Sequence, residues 1–309
     1  MWTPVVFYRS VFYRSVQIVR MAQAEAFEIT TGDQTNISAT LYTGDTKSNH
    51  LIIVCPATGA PQGYYRGFAE YAADYNDFDV ITFDYRGIGK SLNGSVIDCK
   101  AKMSDWGIYD LESVIKWGEI KYDKLFLIGH SVAGQIFPKA SSHSKITAAY
   151  FVGSQSAYYG CWKGLWLLYV LFFWYFLIPV TTFIFDYLPG WAMGGSIPIP
   201  KNVALEWRKW GIHKEGVLQG NKTIIDRFES VRIPIHFVNI EDDKLLGPSK
   251  ATQRLMSQYK NAVTTFQFIS PKNLKLKHIG HFGFFKKQFK KPLWPMPMFF
   301  FTQHIKKLD

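Results

Sequence analysis

A serine between small residues stands where a short apolar segment meets a predicted helix. Leu125-Phe126-Leu127-Ile128 is a run of apolar residues that predicts a buried strand, and an amphipathic stretch begins at Gln135. Between them lies Gly129-His130-Ser131-Val132-Ala133, with a small residue two positions before and after the serine. A strand, a sharp turn and a helix arranged in this way lift a serine hydroxyl above a sheet. We therefore predict that Ser131 is a nucleophile.

A serine nucleophile requires a base that accepts its proton and an acid that orients this base. In sites built on such a turn, the acid and then a histidine follow the serine along the chain. His281 lies in a glycine-containing loop after the last predicted strand and is the candidate base. The acidic cluster Glu241-Asp242-Asp243 directly follows the predicted strand at 235–240. Asp243 and Asp242 are both candidates for the acid, because position alone does not separate two adjacent residues at one strand end.

An acyl-transfer site also requires N–H groups that bind the oxyanion of the tetrahedral intermediate. One should come from Val132, the residue after the nucleophile. The other should come from the loop that follows the predicted strand at 51–55. We choose Ala60 in this loop, with Ala57 as the alternative.

The bulk composition limits the classes of function. The chain has 309 residues, of which 48% are hydrophobic, so it can bury a large core. Its formal net charge is +11, but the basic residues are scattered and no motif predicts nucleic-acid binding. We expect a weak preference for anionic lipid headgroups, and thus weak peripheral contact with membranes. The three cysteines lack the spacing of a disulfide framework or a zinc site, which favours the reducing cytoplasm. We predict no metal and no cofactor.

Strand and helix patterns alternate along most of the chain. They predict a mostly parallel sheet covered by helices on both faces, formed by residues 21–153 and 220–309. The alternation stops at 154–219, which we interpret as a hydrophobic helical cap inserted over the site. Residues 1–20 contain two tandem copies of Val-Phe-Tyr-Arg-Ser. We interpret this N-terminal extension as an artefact of the assigned start site.

Residues 164–185 are almost wholly apolar and long enough for a transmembrane helix. Three features favour a cap instead. Pro179 is expected to break the helix, and the flanking Lys163 and Asp186 show no clear basic bias. A single crossing would also place Ser131 and everything after residue 186 on opposite sides of a bilayer.

Four segments together resemble the α/β-hydrolase superfamily, and most closely a group of predicted bacterial α/β hydrolases. The segments are Pro56-Ala57-Thr58-Gly59-Ala60-Pro61, Phe83-Asp84-Tyr85-Arg86-Gly87-Ile88-Gly89, Gly129-His130-Ser131-Val132-Ala133-Gly134-Gln135 and Ile279-Gly280-His281-Phe282-Gly283-Phe284-Phe285. The resemblance covers roughly residues 25–305. It implies an eight-stranded core, a helical cap after the sixth strand, Ser131 as nucleophile and His281 as base. In that group an Asp precedes a Pro by four residues, whereas Asp243 precedes Pro248 by five. One inserted residue thus favours Asp243, and Asp242 stays open.

These features predict a serine hydrolase of small carboxylic esters with an apolar acyl or alcohol group. The predicted cap contains aromatic residues for an apolar pocket, namely Trp162, Trp166, Phe172, Phe173 and Trp174. The alternatives are an acyltransferase, a peptidase of the proline-iminopeptidase type and an inactive membrane-associated binding module. Such a peptidase needs an acidic cap residue for the substrate amine, and residues 160–185 contain none.

Overall fold

In the described part of the chain, ten strands form one large sheet and one short ribbon. The computed structural model describes residues 22–305 except 45, 47, 75, 76 and 196, so the predicted extension at 1–20 lies outside the described residues. The strands are β1 (Gln23–Thr30), β2 (Asn36–Thr43), β3 (His50–Cys55), β4 (Asp79–Phe83), β5 (Lys124–His130), β6 (Ile146–Val152), β7 (Tyr187–Leu188), β8 (Ile199–Pro200), β9 (Pro234–Ile240) and β10 (Val263–Ile269). β7 and β8 pair only with each other.

The remaining eight strands form the sheet in the order β1-β2-β4-β3-β5-β6-β9-β10. β2 runs antiparallel to both of its neighbours, and every pair from β4 to β10 is parallel. This confirms the predicted mostly parallel, eight-stranded sheet. The continuous apolar run of β3 follows from burial on both faces: Leu51 and Ile53 belong to one buried cluster, and Ile52 and Val54 to the other.

Helices cover both faces of the sheet. The α-helices are α1 (Arg66–Ala73), α2 (Glu112–Glu119), α3 (Ala133–Ile136), α4 (Gly164–Phe172), α5 (Ile178–Phe185), α6 (Lys201–Ile212), α7 (Lys222–Ser230), α8 (Ser249–Met256), α9 (Gly280–Gly283), α10 (Lys290–Leu293) and α11 (Pro295–Ile305). Two π-helical segments span Trp106–Leu111 and Phe173–Leu177. Short 3-10 segments lie at Gln62–Tyr65, Gly89–Ser91, Phe137–Lys139, Ser141–Lys145, Tyr159–Cys161, Gly190–Met193, Lys272–Leu274 and Lys287–Phe289.

The segment after Ser131 differs from the amphipathic helix predicted from Gln135. It is the four-residue helix α3 followed by a 3-10 turn, and residues 131–140 are all buried. Pro138 has no N–H to continue the helix. The carbonyl of Gly134, four residues earlier, instead accepts a hydrogen bond from the Tyr259 hydroxyl at 2.5 Å. The segment is therefore a buried connector, and neither of its faces meets solvent.

The segment between β6 and β9 contains the helical insertion that the sequence predicts, while the boundaries at 154 and 219 stay predictions. Its first part is one continuous helix from Gly164 to Phe185, so the expectation that Pro179 breaks it was wrong. A π-helical turn spans Phe173–Leu177, and Pro179 follows it in the first turn of α5. A wider turn accommodates a residue that cannot donate a backbone hydrogen bond, so the helix continues.

Candidate active site

Ser131 lies in the turn between β5 and α3 with a left-handed backbone, at a φ of 56°. Few residues other than glycine adopt this conformation, and it costs energy that the surrounding packing must supply. A Cβ on Gly129 would lie 2.7 Å from the Phe151 ring and 2.8 Å from the Ala133 Cβ. The position before the turn therefore requires glycine, while alanine is accommodated after it. The Ser131 N–H donates to the Val152 carbonyl of β6 at 3.0 Å, which fixes the turn to the sheet.

His281 and Asp243 form a buried pair. The Nδ1 atom of His281 and the Oδ2 atom of Asp243 are 2.5 Å apart, and the two side chains are 5% and 3% exposed. The other oxygen of Asp243 accepts the Leu246 N–H at 3.2 Å. His281 lies in the short helix α9 rather than in the open loop that we expected. The pair can hold the imidazole in one orientation and one tautomer.

Asp242 has different partners, although it is adjacent to Asp243. Its two oxygens accept the N–H groups of Ile279 and Gly280, each at 2.9 Å, and it forms an ion pair with the exposed His278. Partial burial raises the pKa of the Asp242 carboxyl, but these hydrogen bonds and His278 outweigh burial and leave the pKa below its usual range. Asp242 therefore holds the backbone directly before His281, and its contacts do not include the imidazole of that residue.

Two further contacts place the imidazole of His281 beside the serine turn. Gly153 follows the residue that accepts the Ser131 N–H, and a Cβ on Gly153 would lie 3.2 Å from the His281 ring. His130, which directly precedes Ser131, has its ring centroid 5.0 Å from that of His281. The structure thus places the pair of His281 and Asp243 beside the turn of Ser131, while Asp242 binds the backbone directly before His281.

A hydrogen-bonded chain links His281 to the loop after β3, and nothing in the sequence indicated it. The Tyr65 hydroxyl oxygen accepts the Ala57 N–H at 2.8 Å, so its own proton is donated to His130 Nδ1, also at 2.8 Å. The other ring nitrogen of His130 then donates to the His281 carbonyl at 3.1 Å. Burial, and secondarily the nearby His281, lowers the pKa of His130 well below its ordinary value, which agrees with a neutral ring. The residues are far apart in sequence, and no motif relates Tyr65 to the site.

The candidate oxyanion loop is the segment that follows β3. It begins beside the turn of Ser131, because Cys55 at the end of β3 pairs with Gly129 of β5 in parallel register. The N–H of Ala60 donates to the Ala57 carbonyl at 3.1 Å within a turn. Since the Ala57 N–H is bound to Tyr65, both of our candidates already have partners, and this geometry disfavours them. The Thr58 hydroxyl in the same loop is buried and has no hydrogen-bond partner among the described residues.

The Asp-Tyr-Arg-Gly segment after β4 binds the end of the loop that follows β3. Asp84 accepts the N–H groups of Gln62 and Lys90 at 2.6 and 2.9 Å. Gly89 has a φ of +52°, and a Cβ there would lie 2.6 Å from the Asp84 carboxylate. Arg86 is bound by Asp110 and Asp33. Within the part of the chain that the structure describes, no cluster of three metal-binding side chains occurs.

Comparison with known proteins identifies the fold. No family model and no curated protein sequence matches the chain significantly. Among solved structures, the esterase Pf2001 of Pyrococcus furiosus is 16% identical at a TM-score of 0.57, covering 91% of this chain and 90% of that chain. Est1E of Butyrivibrio proteoclasticus, solved with ferulic acid, is 15% identical at a TM-score of 0.60, covering 91% and 100%. This chain has the α/β-hydrolase fold.

In this α/β-hydrolase fold the insertion contacts the loop that carries Asp243. The indole N–H of Trp162 donates to the Leu245 carbonyl at 2.7 Å, and the Gln155 side chain donates to the Leu246 carbonyl at 2.8 Å. The residues that lead into the long helix are therefore bound to the loop of the candidate acid.

Proposed function

We propose that this protein is a serine ester hydrolase with Ser131 as nucleophile, His281 as base and Asp243 as the acid that orients the base. The observation that carries the proposal is the buried pair of His281 and Asp243 beside a serine in a left-handed turn. A structural serine has no need of this strained backbone, and a buried imidazole paired with a carboxylate is suited to accept a proton.

The proposed reaction follows from the proton positions. The His281 Nδ1–H donates to the Asp243 carboxylate, so Nε2 is free to take the Ser131 proton as the hydroxyl oxygen attacks the ester carbonyl. The imidazolium then returns this proton to the leaving alcohol, and an acyl-enzyme remains. A water molecule then attacks the acyl-enzyme, with His281 again as the base. This second attack releases the carboxylic acid and regenerates the free serine.

For the oxyanion we propose the Val132 N–H as one donor and Thr58 as the second. The choice of Thr58 rests on its buried hydroxyl without a partner among the described residues, in a loop that starts level with the serine turn. A donor that is already fixed in place and free of competing hydrogen bonds can stabilise the developing negative charge. Ala60 and Ala57 lack this freedom, because their N–H groups are bound within the loop.

We propose a carboxylic ester with an apolar acyl or alcohol group as substrate. The aromatic content of the insertion supports this class; within it Phe173, Trp174 and Trp207 pack against one another, whereas Trp166 and Phe172 are exposed. Two proteins of similar fold act on or bind compounds with apolar parts. Est1E binds ferulic acid, and Est816, 16% identical at a TM-score of 0.54, degrades an N-acyl homoserine lactone. The three free cysteines support our assignment to the reducing cytoplasm.

Labelling with a fluorophosphonate probe tests the assignment of the nucleophile. We expect the wild-type protein to be labelled and to hydrolyse p-nitrophenyl acyl esters. Ser131→Ala should abolish labelling and lower kcat by about 10³-fold or more with little change in Tm. Ser257→Ala, at an exposed serine, serves as the matched control and should behave as wild type. Labelling that persists in Ser131→Ala would refute the nucleophile, and a wild-type protein inert to probe and ester would refute the enzyme.

A further inference from the structure

The long helix of the insertion has one apolar face that the protein leaves uncovered. We call this face the apolar stripe; its residues are Leu165, Leu168, Tyr169, Phe172, Phe176 and Phe183. Leu165 and Phe183, near the two ends, are 81% and 86% exposed. The spacing of three, four or seven residues places these side chains on one side of the helix, about 30 Å long at 1.5 Å per residue.

The opposite face of the same helix is part of the protein core. Val170, Phe173, Trp174 and Ile178 are buried, and Trp174 lies so close to α6 that a Cβ on Gly211 would be 2.3 Å from its ring. A surface helix of a water-soluble protein normally places charged residues on its outer face. Here Lys163 is the only charged residue between 154 and 185. An uncharged stripe of this size indicates an apolar partner.

Cations lie at both ends of the helix and beside its middle. Lys163 is exposed at the start, where Lys250 also donates to the Gly160 carbonyl at 2.9 Å. Arg208 donates to the Trp174 carbonyl at 2.6 Å and lies over the Tyr175 ring. At the far end Lys201 pairs with Asp186 at 2.5 Å, and Lys100 also acts on this carboxylate, so one positive charge is left over there.

This charge arrangement distinguishes two apolar partners. A second copy packed through the same stripe would bring identical basic residues together, in a chain whose formal net charge is already +11. An anionic lipid surface would attract these basic residues, because its headgroups carry the opposite charge. Trp166 and Trp191 are also exposed, at 45% and 65%, and tryptophan is enriched at the boundary between headgroups and acyl chains.

We propose that the apolar stripe docks on an anionic membrane, with the helix lying in the interface and its buried face remaining in the protein. The helix is long and apolar enough to cross a membrane, but only by length and composition, and a crossing would require Phe173 and Trp174 to leave the core. Docking itself does not depend on the proposed activity. If the proposed function holds, the contact of Trp162 with the loop of Asp243 brings the active site to esters dissolved in the membrane.

Vesicle flotation of the full chain tests the proposal. We expect binding to vesicles of phosphatidylcholine and phosphatidylglycerol, weaker binding to phosphatidylcholine alone, and release by high salt and alkaline carbonate. The double variant Leu165→Glu, Phe183→Glu should lose at least about tenfold in vesicle affinity, because two exposed apolar side chains no longer enter the lipid. Ile120→Glu, which changes a residue that is 85% exposed outside the stripe, should bind as wild type.

The controls separate docking from activity and from other partners. Ser131→Ala should bind vesicles as wild type does, whatever the outcome of the activity assays. Absent binding by the wild type, or equal binding by the double variant, would overturn the proposal. Resistance to carbonate would identify a transmembrane span instead. A wild-type dimer that ignores vesicles and dissociates in the double variant would identify a second copy as the partner. Thermal melts check that each variant is folded.

Discussion

Replacing each of the adjacent carboxylates by its amide should produce two different defects. Asp243 contacts the imidazole of His281, whereas Asp242 holds the backbone N–H groups of Ile279 and Gly280. Both changes preserve side-chain shape and remove one charge. The pair Asp243→Asn and Asp242→Asn is therefore a matched comparison at neighbouring positions.

Asp243→Asn should primarily reduce catalysis. If the amide oxygen keeps the hydrogen bond from the Leu246 N–H, the amide NH₂ faces His281 Nδ1 and forces the proton to Nε2. An Nε2 that carries a proton cannot accept one from Ser131. We expect kcat to fall by about 10⁴-fold, equivalent to about 5.4 kcal/mol in the activation barrier. The free energy of unfolding should change by less than about 2 kcal/mol, because the variant no longer buries a carboxylate.

Asp242→Asn should primarily reduce stability. The carboxylate receives one backbone N–H on each oxygen, but an amide offers a single acceptor and turns an NH₂ group toward the other donor. Loss of one hydrogen bond to a charged group costs about 1.5–3 kcal/mol, and the lower part of this range suits a side chain that is 24% exposed. We expect kcat to fall less than about tenfold in the folded fraction, because Asp243 still orients the imidazole.

The assay combines kcat and KM for a p-nitrophenyl ester with urea unfolding, at a temperature well below the Tm of both variants. A loss of about 10³-fold or more in the kcat of Asp242→Asn at unchanged stability would contradict these two assignments. More than about a tenth of wild-type turnover in Asp243→Asn would contradict them as well. If kcat falls only slightly in both variants, another residue supplies the acid.

Two further outcomes are expected. Thr58→Val should lower kcat by about 10²–10³-fold with little change in KM, while Thr58→Ser keeps most activity, because only the hydroxyl is removed in the first variant. A wild-type kcat in Thr58→Val would exclude the hydroxyl as oxyanion donor, and a lowered Tm would indicate a structural role. Hydrogen bonding to Arg86 lowers the pKa of Asp33 from 3.8 to about 2, so its ionised form stabilises the fold above about pH 4 and this contribution is lost between about pH 4 and 2. Urea titrations should therefore show Asp33→Asn less stable than wild type at pH 7, by about 1–2 kcal/mol after solvent screening, with the gap closing toward pH 2.

The sequence predicted those features whose cause is local. The central strands could be located because a parallel strand buried on both faces is apolar at every position. The turn at Ser131 could be located because its signature, small residues at 129 and 133, lies within five residues of sequence; a side chain at Gly129 would collide with the Phe151 ring and with Ala133. Pro179 and the stretch after Gln135 misled the same reasoning. Continuation of the helix through Pro179 depends on a π-helical turn, and burial of α3 depends on Tyr259, more than a hundred residues away.

Tertiary structure alone distinguishes the contacts of Asp243 from those of Asp242. Both follow β9, and the difference between them arises from contacts with residues 278–281, about forty positions later. Tertiary structure alone also showed that the Ala60 N–H is hydrogen-bonded within a turn. It likewise showed that His130 connects Tyr65 to His281. The length and apolarity of 164–185 were evident in the sequence, but the exposed stripe was not. Composition specifies how much apolar surface a helix has, whereas packing decides which side of it the protein covers.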